Sequence, residues 1–151
     1  MTLDTPAGAS ARPVTVRRTL PFDRETVFRA WTDPDAMGRW FGGAIAVAIS
    51  VGIDLQVGGA WHITVQAGGQ TGTVRGVYQQ VEPPARVVYT WAWDWTGEGP
   101  GRESLVTVEF NDVDGSTEIV VTHEGLTTEQ SLAFHTRGWT DSLEGLAQVL
   151  G

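Results

Sequence analysis

The chain of 151 residues contains no cysteine. That removes disulfides, thiolate zinc sites and cysteine nucleophiles, and it agrees with a reducing, cytoplasmic setting. Positive charge is sparse: ten Lys and Arg stand against eighteen Asp and Glu, for a net charge of -8, and Arg17 and Arg18 are the only adjacent basic pair. Phosphate neutralisation needs clustered cations, so nucleic acid is excluded as a partner, and the acidity reads as a solvated surface. No apolar run approaches the roughly 18 residues of a membrane span, and Met1 to Pro13 lacks the apolar stretch of a signal peptide. A phosphate-binding glycine motif and a Gly-x-Ser-x-Gly nucleophile elbow are also missing.

What the chain has in quantity is tryptophan, seven residues, and glycine, nineteen. A length of 151 residues suits one domain with a single core. The expected division is a disordered N-terminal segment over 1–13 and one folded unit over 14–151.

Val14 to Leu20 alternates apolar and polar residues and reads as a strand closed by Pro21. Asp23 then caps a helix with Val27, Phe28, Ala30 and Trp31 on its apolar face, and Asp33-Pro34 ends it and starts a short second helix carrying Met37 and Trp40. After an apolar stretch from Ala44 whose strand boundary is undefined, Trp61, Ile63 and Val65 alternate onto one face, with His62 opposite. Gly68-Gly69 marks a hairpin into Thr73 to Val81. Val87, Tyr89, Trp91, Trp93 and Trp95 then recur at period two and form the most aromatic wall of the chain. Thr96 to Arg102, rich in glycine, is a candidate lid beside that wall. Leu105 to Phe110 and Thr117 to Glu124 form a hairpin turned at Asp114-Gly115. Here Asn111 to Gly115 has some look of a calcium loop, but Phe110 and Val121 occupy its terminal ligand positions, so it reads as a turn. Finally Thr127 and Gln130 stand at capping-box spacing before a helix running to Leu150, with Leu132, His135, Trp139, Leu143, Leu146 and Leu150 on one stripe. Gly138 and Gly145 weaken this helix, so tertiary packing must hold it. One strand, two helices, about six further antiparallel strands and a long helix indicate an α+β fold with the helix on one sheet face.

These residues also carry a resemblance. Leu20-Pro21-Phe22-Asp23, Val27 to Pro34 and Trp40-Phe41-Gly42 open a series of ordered matches. It continues through Val57-Gly58-Gly59 before Trp61, Gly76-Val77-Tyr78, Pro83-Pro84 before Val87 to Trp91, and Val106 to Phe110. Thr122-His123-Glu124-Gly125 and Gly138-Trp139 before Leu143 complete it. The series resembles the family of activator of heat-shock-protein-90 ATPase homologue-like proteins, in the START-like, SRPBCC or helix-grip superfamily. The resemblance implies a curved antiparallel sheet of about six to seven strands wrapped around the C-terminal helix, with a hydrophobic cavity between them. Trp40-Phe41-Gly42-Gly43 departs from the family's usual Trp-Trp-Gly-Pro. The namesake co-chaperones also carry an additional N-terminal domain that does much of the chaperone contact.

A helix laid over a concave sheet need not fill the space beneath it, and an apolar cavity with a few polar groups is the usual form of a small-molecule site. The expected ligand is a hydrophobic or aromatic small molecule. Trp61, Ile63, Tyr89, Trp91 and Trp93 would form its walls, Trp40 and Trp139 would close the ends, and Leu143 belongs to the helix stripe above. Tyr89, His123 and His135 are the candidate polar handles. A metal site from His62, His123 and His135 is not expected, because alternation turns His62 away from the aromatic face. No cofactor is expected. Neither paired carboxylates nor a nucleophile with its base can be placed by spacing, so binding stands ahead of catalysis. Two alternatives come from the resemblance: a stand-alone regulator of a heat-shock ATPase in the stress response, and a cyclase- or hydratase-like enzyme on polyketide-like substrates. The protein is expected as a monomer or a homodimer.

Overall fold

A computed structural model of the chain describes residues 13–44, 46–95 and 99–151. The expected disordered segment, apart from Pro13, lies outside the described residues, as do 96–98 of the candidate lid and the side chain of Trp95. The elements are β1 (Val14–Leu20), α1 (Arg24–Thr32), α2 (Pro34–Trp40), β2 (Val47–Ile53), β3 (Ala60–Ala67), β4 (Gln70–Glu82) and β5 (Arg86–Trp95). They continue with β6 (Gly99–Pro100), β7 (Ser104–Val113), β8 (Ser116–Glu124) and α3 (Glu129–Leu150).

The strands form one antiparallel sheet in the order β1-β8-β7-β5-β4-β3-β2, with the two-residue β6 paired beside β5. The sheet curls into a half-barrel around α3, as the α+β helix-grip expectation requires. Two features bend it. The β4–β5 ladder shifts register between Tyr78 and Gln80, and the β2–β3 ladder between Ala48 and Ser50, each adding local twist. Gly76 lets β4 and β5 approach closely, because a Cβ there would lie 1.8 Å from the Thr90 carbonyl oxygen. β1 and β2 are the two edges.

The turns follow their residues. Asp114 and Gly115 take φ of 53° and 87° and join β7 to β8 in a two-residue turn, and Gly68-Gly69, at 57° and 81°, does the same for β3 and β4. Asp23 Oδ1 accepts from the Thr26 N–H at 2.8 Å and Asp33 Oδ2 from the Ala36 N–H at 2.9 Å, so both short helices are capped where the sequence places their starts.

α3 starts one residue later than its capping-box spacing suggests. Thr128, not Thr127, is the N-cap, its Oγ1 accepting from the Ser131 N–H at 3.0 Å. Two consecutive threonines offer near-equivalent hydroxyls, and burial of Leu126 against Val14 and Leu132 selects the second. At about 1.5 Å per residue the 22-residue helix runs about 33 Å. It buries Leu132, His135, Trp139, Ser142, Leu143 and Leu146, all but Ser142 from the expected stripe, while Leu150 is half-buried.

Its two internal glycines have opposite roles. A Cβ on Gly145 would lie 2.6 Å from the Trp40 carbonyl oxygen and 3.2 Å from Gly43 Cα, so Gly145 lets α3 press against the end of α2. A Cβ on Gly138 would meet nothing within 4 Å. Opposite stability effects are expected from the two alanine variants: Gly138→Ala raises the unfolding free energy by about 0.5–1 kcal/mol, whereas Gly145→Ala lowers it by about 1–3 kcal/mol. Urea titration monitored by tryptophan emission measures both, and equal shifts would refute the packing role of Gly145.

Candidate functional site

The space between sheet and α3 divides into a filled end and an open end. At the filled end the aromatic rings interlock. Trp31 stacks on Trp139 at 6.1 Å and 15°, Trp31 meets Trp40 at 4.6 Å, Trp61 meets Tyr89 at 5.1 Å, and Trp91 meets Trp139 at 5.0 Å. The remaining gap, bordered by Trp40, Trp61, Ile63, Tyr89, Trp91 and Trp139, is about 10 Å³ and too small for any organic guest. Trp40 and Trp139 are thus central to the packing, with Trp40 Nε1 donating to the Ala30 carbonyl at 2.8 Å.

At the open end a cavity of about 140 Å³ lies between Trp91 and Trp93 of β5, Val65 of β3, Phe41 after α2, and Phe134, His135 and Trp139 of α3. Its lining is almost wholly apolar. Small residues make the room: Gly42, Ala46, Ala67 and Gly138 also border it. Phe134, 49% exposed, forms part of its rim and meets Trp93 edge-on at 6.3 Å. A second cavity of about 170 Å³ adjoins, sharing Trp91, Trp93 and His135, and is bordered by Arg102, Ser104, Thr127 and Ser131.

Of the ten residues singled out by sequence, the structure therefore brings Trp91, Trp93, His135 and Trp139 around the larger apolar space. Trp40, Trp61, Ile63 and Tyr89 border the small gap, while His123 and Leu143 border neither. Phe41, Phe134 and Gly138 were not among the ten. Val65 shares the Trp61 and Ile63 face by alternation and was within reach. Phe134 sits beside the apolar stripe of α3 rather than on it, so helical periodicity passes over it.

The polar groups form a network whose protons can be assigned. An indole N–H only donates. Trp139 Nε1 lies 3.0 Å from His123 Nδ1, so Nδ1 is the acceptor and the ring proton sits on Nε2, which donates to Ser104 Oγ at 2.8 Å. Ser104 in turn donates to the Trp91 carbonyl at 3.2 Å. In the same way Trp91 Nε1 donates to His135 Nε2 at 3.3 Å, and His135 Nδ1 donates to the Ser131 carbonyl at 2.8 Å. Tyr89 accepts from Trp31 Nε1 at 3.2 Å, and burial pushes the ionisation of its phenol up.

Both histidines are consequently held neutral. A proton on His123 Nδ1 or on His135 Nε2 would face an indole N–H, donor against donor. Burial, with the neighbouring His135 as a second cause, takes His123 from 6.5 down to about 3. Burial also lowers His135, opposed by its bond to the Ser131 backbone. The rings touch at 4.7 Å between centroids, which disfavours charge on either. His62 lies away from this cluster, near Ser50 Oγ at 3.2 Å. Among the described residues no group of His, Asp or Glu could hold a metal ion.

Because the folded pKa values lie below the unfolded 6.5, the unfolded chain takes up protons first as the medium is acidified. Stability from these two rings is complete above pH 6.5 and is lost as pH falls below it, for His123 down toward about 3. The expected slope is up to about 1.4 kcal/mol per pH unit for each ring. Measured by denaturant titration between pH 7 and 5.5, where carboxylates change little, the slope should shrink in His123→Gln; an unchanged slope would refute the neutral tautomer.

A sequence model of the family described as Activator of Hsp90 ATPase homolog 1-like protein matches residues 21–151. No curated protein matches the sequence. Among solved structures, a protein of Chromobacterium violaceum superposes with a TM-score of 0.81 at 25% identity, covering 91% of this chain and 96% of the other. The AHSA1 protein of Silicibacter pomeroyi gives 0.81 at 26% identity with the same two coverages, 91% and 96%. DynU16, from the dynemicin biosynthetic locus, gives 0.74 at 22% identity, covering 91% of this chain and 46% of the other, and shares the fold alone. With the family model spanning 21–151 and the same sheet and helix repeated in these structures, the chain belongs to the Activator of Hsp90 ATPase homolog 1-like family and has its START-like, helix-grip fold.

Proposed function

We propose that this protein binds a flat, apolar aromatic molecule in the cavity between β5 and α3. The observation that carries the reading is that an almost wholly apolar space is left where Phe41, Trp91, Trp93, Phe134 and Trp139 surround it, while the end of the interface toward Trp61 and Tyr89 is filled by rings. At about 140 Å³ it matches one aromatic ring, since an apolar cavity of about 150 Å³ takes benzene. A guest ring burying about 150 Å² gains about 4 kcal/mol, which corresponds to roughly millimolar affinity. Tighter binding requires a guest that also uses the adjoining space.

A heat-shock ATPase partner is supported by family membership alone. For an enzyme, neither His123 nor His135 is available as a general base, because both nitrogens of each ring are committed to the protein.

Gly138 offers a test that spares the fold, because a side chain added there enters open space beside the cavity. Diphenylamine should quench tryptophan emission and raise the melting temperature of the native protein. Gly138→Leu should bind it at least about tenfold more weakly without melting earlier. Unchanged affinity in that variant, or silence in both signals for one- and two-ring aromatics, would refute the reading.

A further inference from the structure

A second cavity adjoins the apolar one at His135. The two share Trp91, Trp93 and His135, and the character of the wall changes across these rings. On the far side lie Arg102, Ser104 and Ser131. Neither cavity has a carboxylate among its described lining residues, although the chain holds eighteen acids against ten bases. The charged side chains that do border them are both arginines, Arg137 at the first and Arg102 at the second.

These two arginines differ. Arg137 faces Asp141 at 3.6 Å, one turn along α3, and its charge is already balanced. Arg102 has no ion-pair partner among the described residues. Beside it, His135 Nδ1 donates to the Ser131 carbonyl at 2.8 Å and only weakly approaches Ser131 Oγ at 3.4 Å, which leaves the Ser131 hydroxyl hydrogen to be directed at a guest. The adjacent histidines are neutral and add no charge, so among the described residues Arg102 is the one cation facing this space without an ion-pair partner. A planar guanidinium with a hydroxyl donor nearby is suited to a carboxylate, which the guanidinium can grip through two parallel N–H donors.

Building on the aromatic-binding reading, we propose that the ligand is an aromatic carboxylate. One ring occupies the space between Phe41, Trp93 and Phe134, and the part that bears the carboxylate passes the His135 edge into the second cavity to meet Arg102 and Ser131. The anion remains at the partly hydrated end of the site, so its desolvation is limited.

The test uses two compounds with the same pair of rings, 2-anilinobenzoate and diphenylamine, titrated calorimetrically at pH 8 against the full chain. The carboxylate should bind at least about tenfold more tightly, and its advantage should shrink as salt is raised. Arg102→Gln, a surface change, should erase the advantage while leaving diphenylamine affinity unaltered, and Arg137→Gln should retain most of it. Equal affinities in the native protein, or an advantage that survives in Arg102→Gln, overturn the anion site alone. Binding of neither compound overturns the aromatic cavity and this inference together.

Discussion

Four indole N–H groups lie in the interior with acceptors found for them by the fold. Trp31 donates to Tyr89, Trp40 to the Ala30 carbonyl, Trp91 to His135 and Trp139 to His123. Leaving one such donor unmet costs about 1–3 kcal/mol, so each pairing is a constraint on where the helices and strands can stand relative to one another. The last two pairings join α3 to β5 and β8, and through Ser104 they reach the β5 backbone. The long helix is therefore fixed in register against the sheet by directed bonds, with apolar burial supplying the non-directional remainder.

That register decides where empty space can exist. The same pairings hold Trp91 and Trp139 in tilted contact in the middle of the interface, and the end toward Trp61 and Tyr89 is closed. Beyond Trp139 the helix presents Gly138, which has no side chain, opposite Val65 and Ala67 of β3. A tightly packed half and a hollow half thus arise from one ordering of residues along α3. The histidines serve that arrangement as neutral bridges, so acid weakens it by charging the unfolded chain before the folded one.

Much of this architecture can be read from the sequence because it depends on local periodicity. The capped starts of α1 and α2, the Asp114-Gly115 turn and the alternating β5 wall all follow from residues near in sequence. The outward placement of His62 follows from alternation as well. The cap of α3 sits one residue beyond its predicted place because Leu126 makes a tertiary contact with Val14, which spacing cannot register. The edge strand β2 was undefined because a continuous apolar stretch has no period. Whether the aromatic rings fill or line a cavity depends on ring-to-ring distances between remote segments, and the tautomers depend on which indole faces which nitrogen. Membership of the family was readable from the ordered motifs, whereas the roles of Phe41, Phe134 and Gly138 were not.

The register slip between Ala48 and Ser50 acts beyond curving the sheet. β2 is a terminal strand, with Val47 and Ile49 at 64% and 53% exposure, and such a rim invites a second chain to zip onto it. A slip in the ladder throws the free carbonyl and amide row out of step, so an approaching strand cannot match donors to acceptors along its whole length. The irregular backbone thereby protects an oily border from fibrous self-addition without any charged residue being placed within the strand.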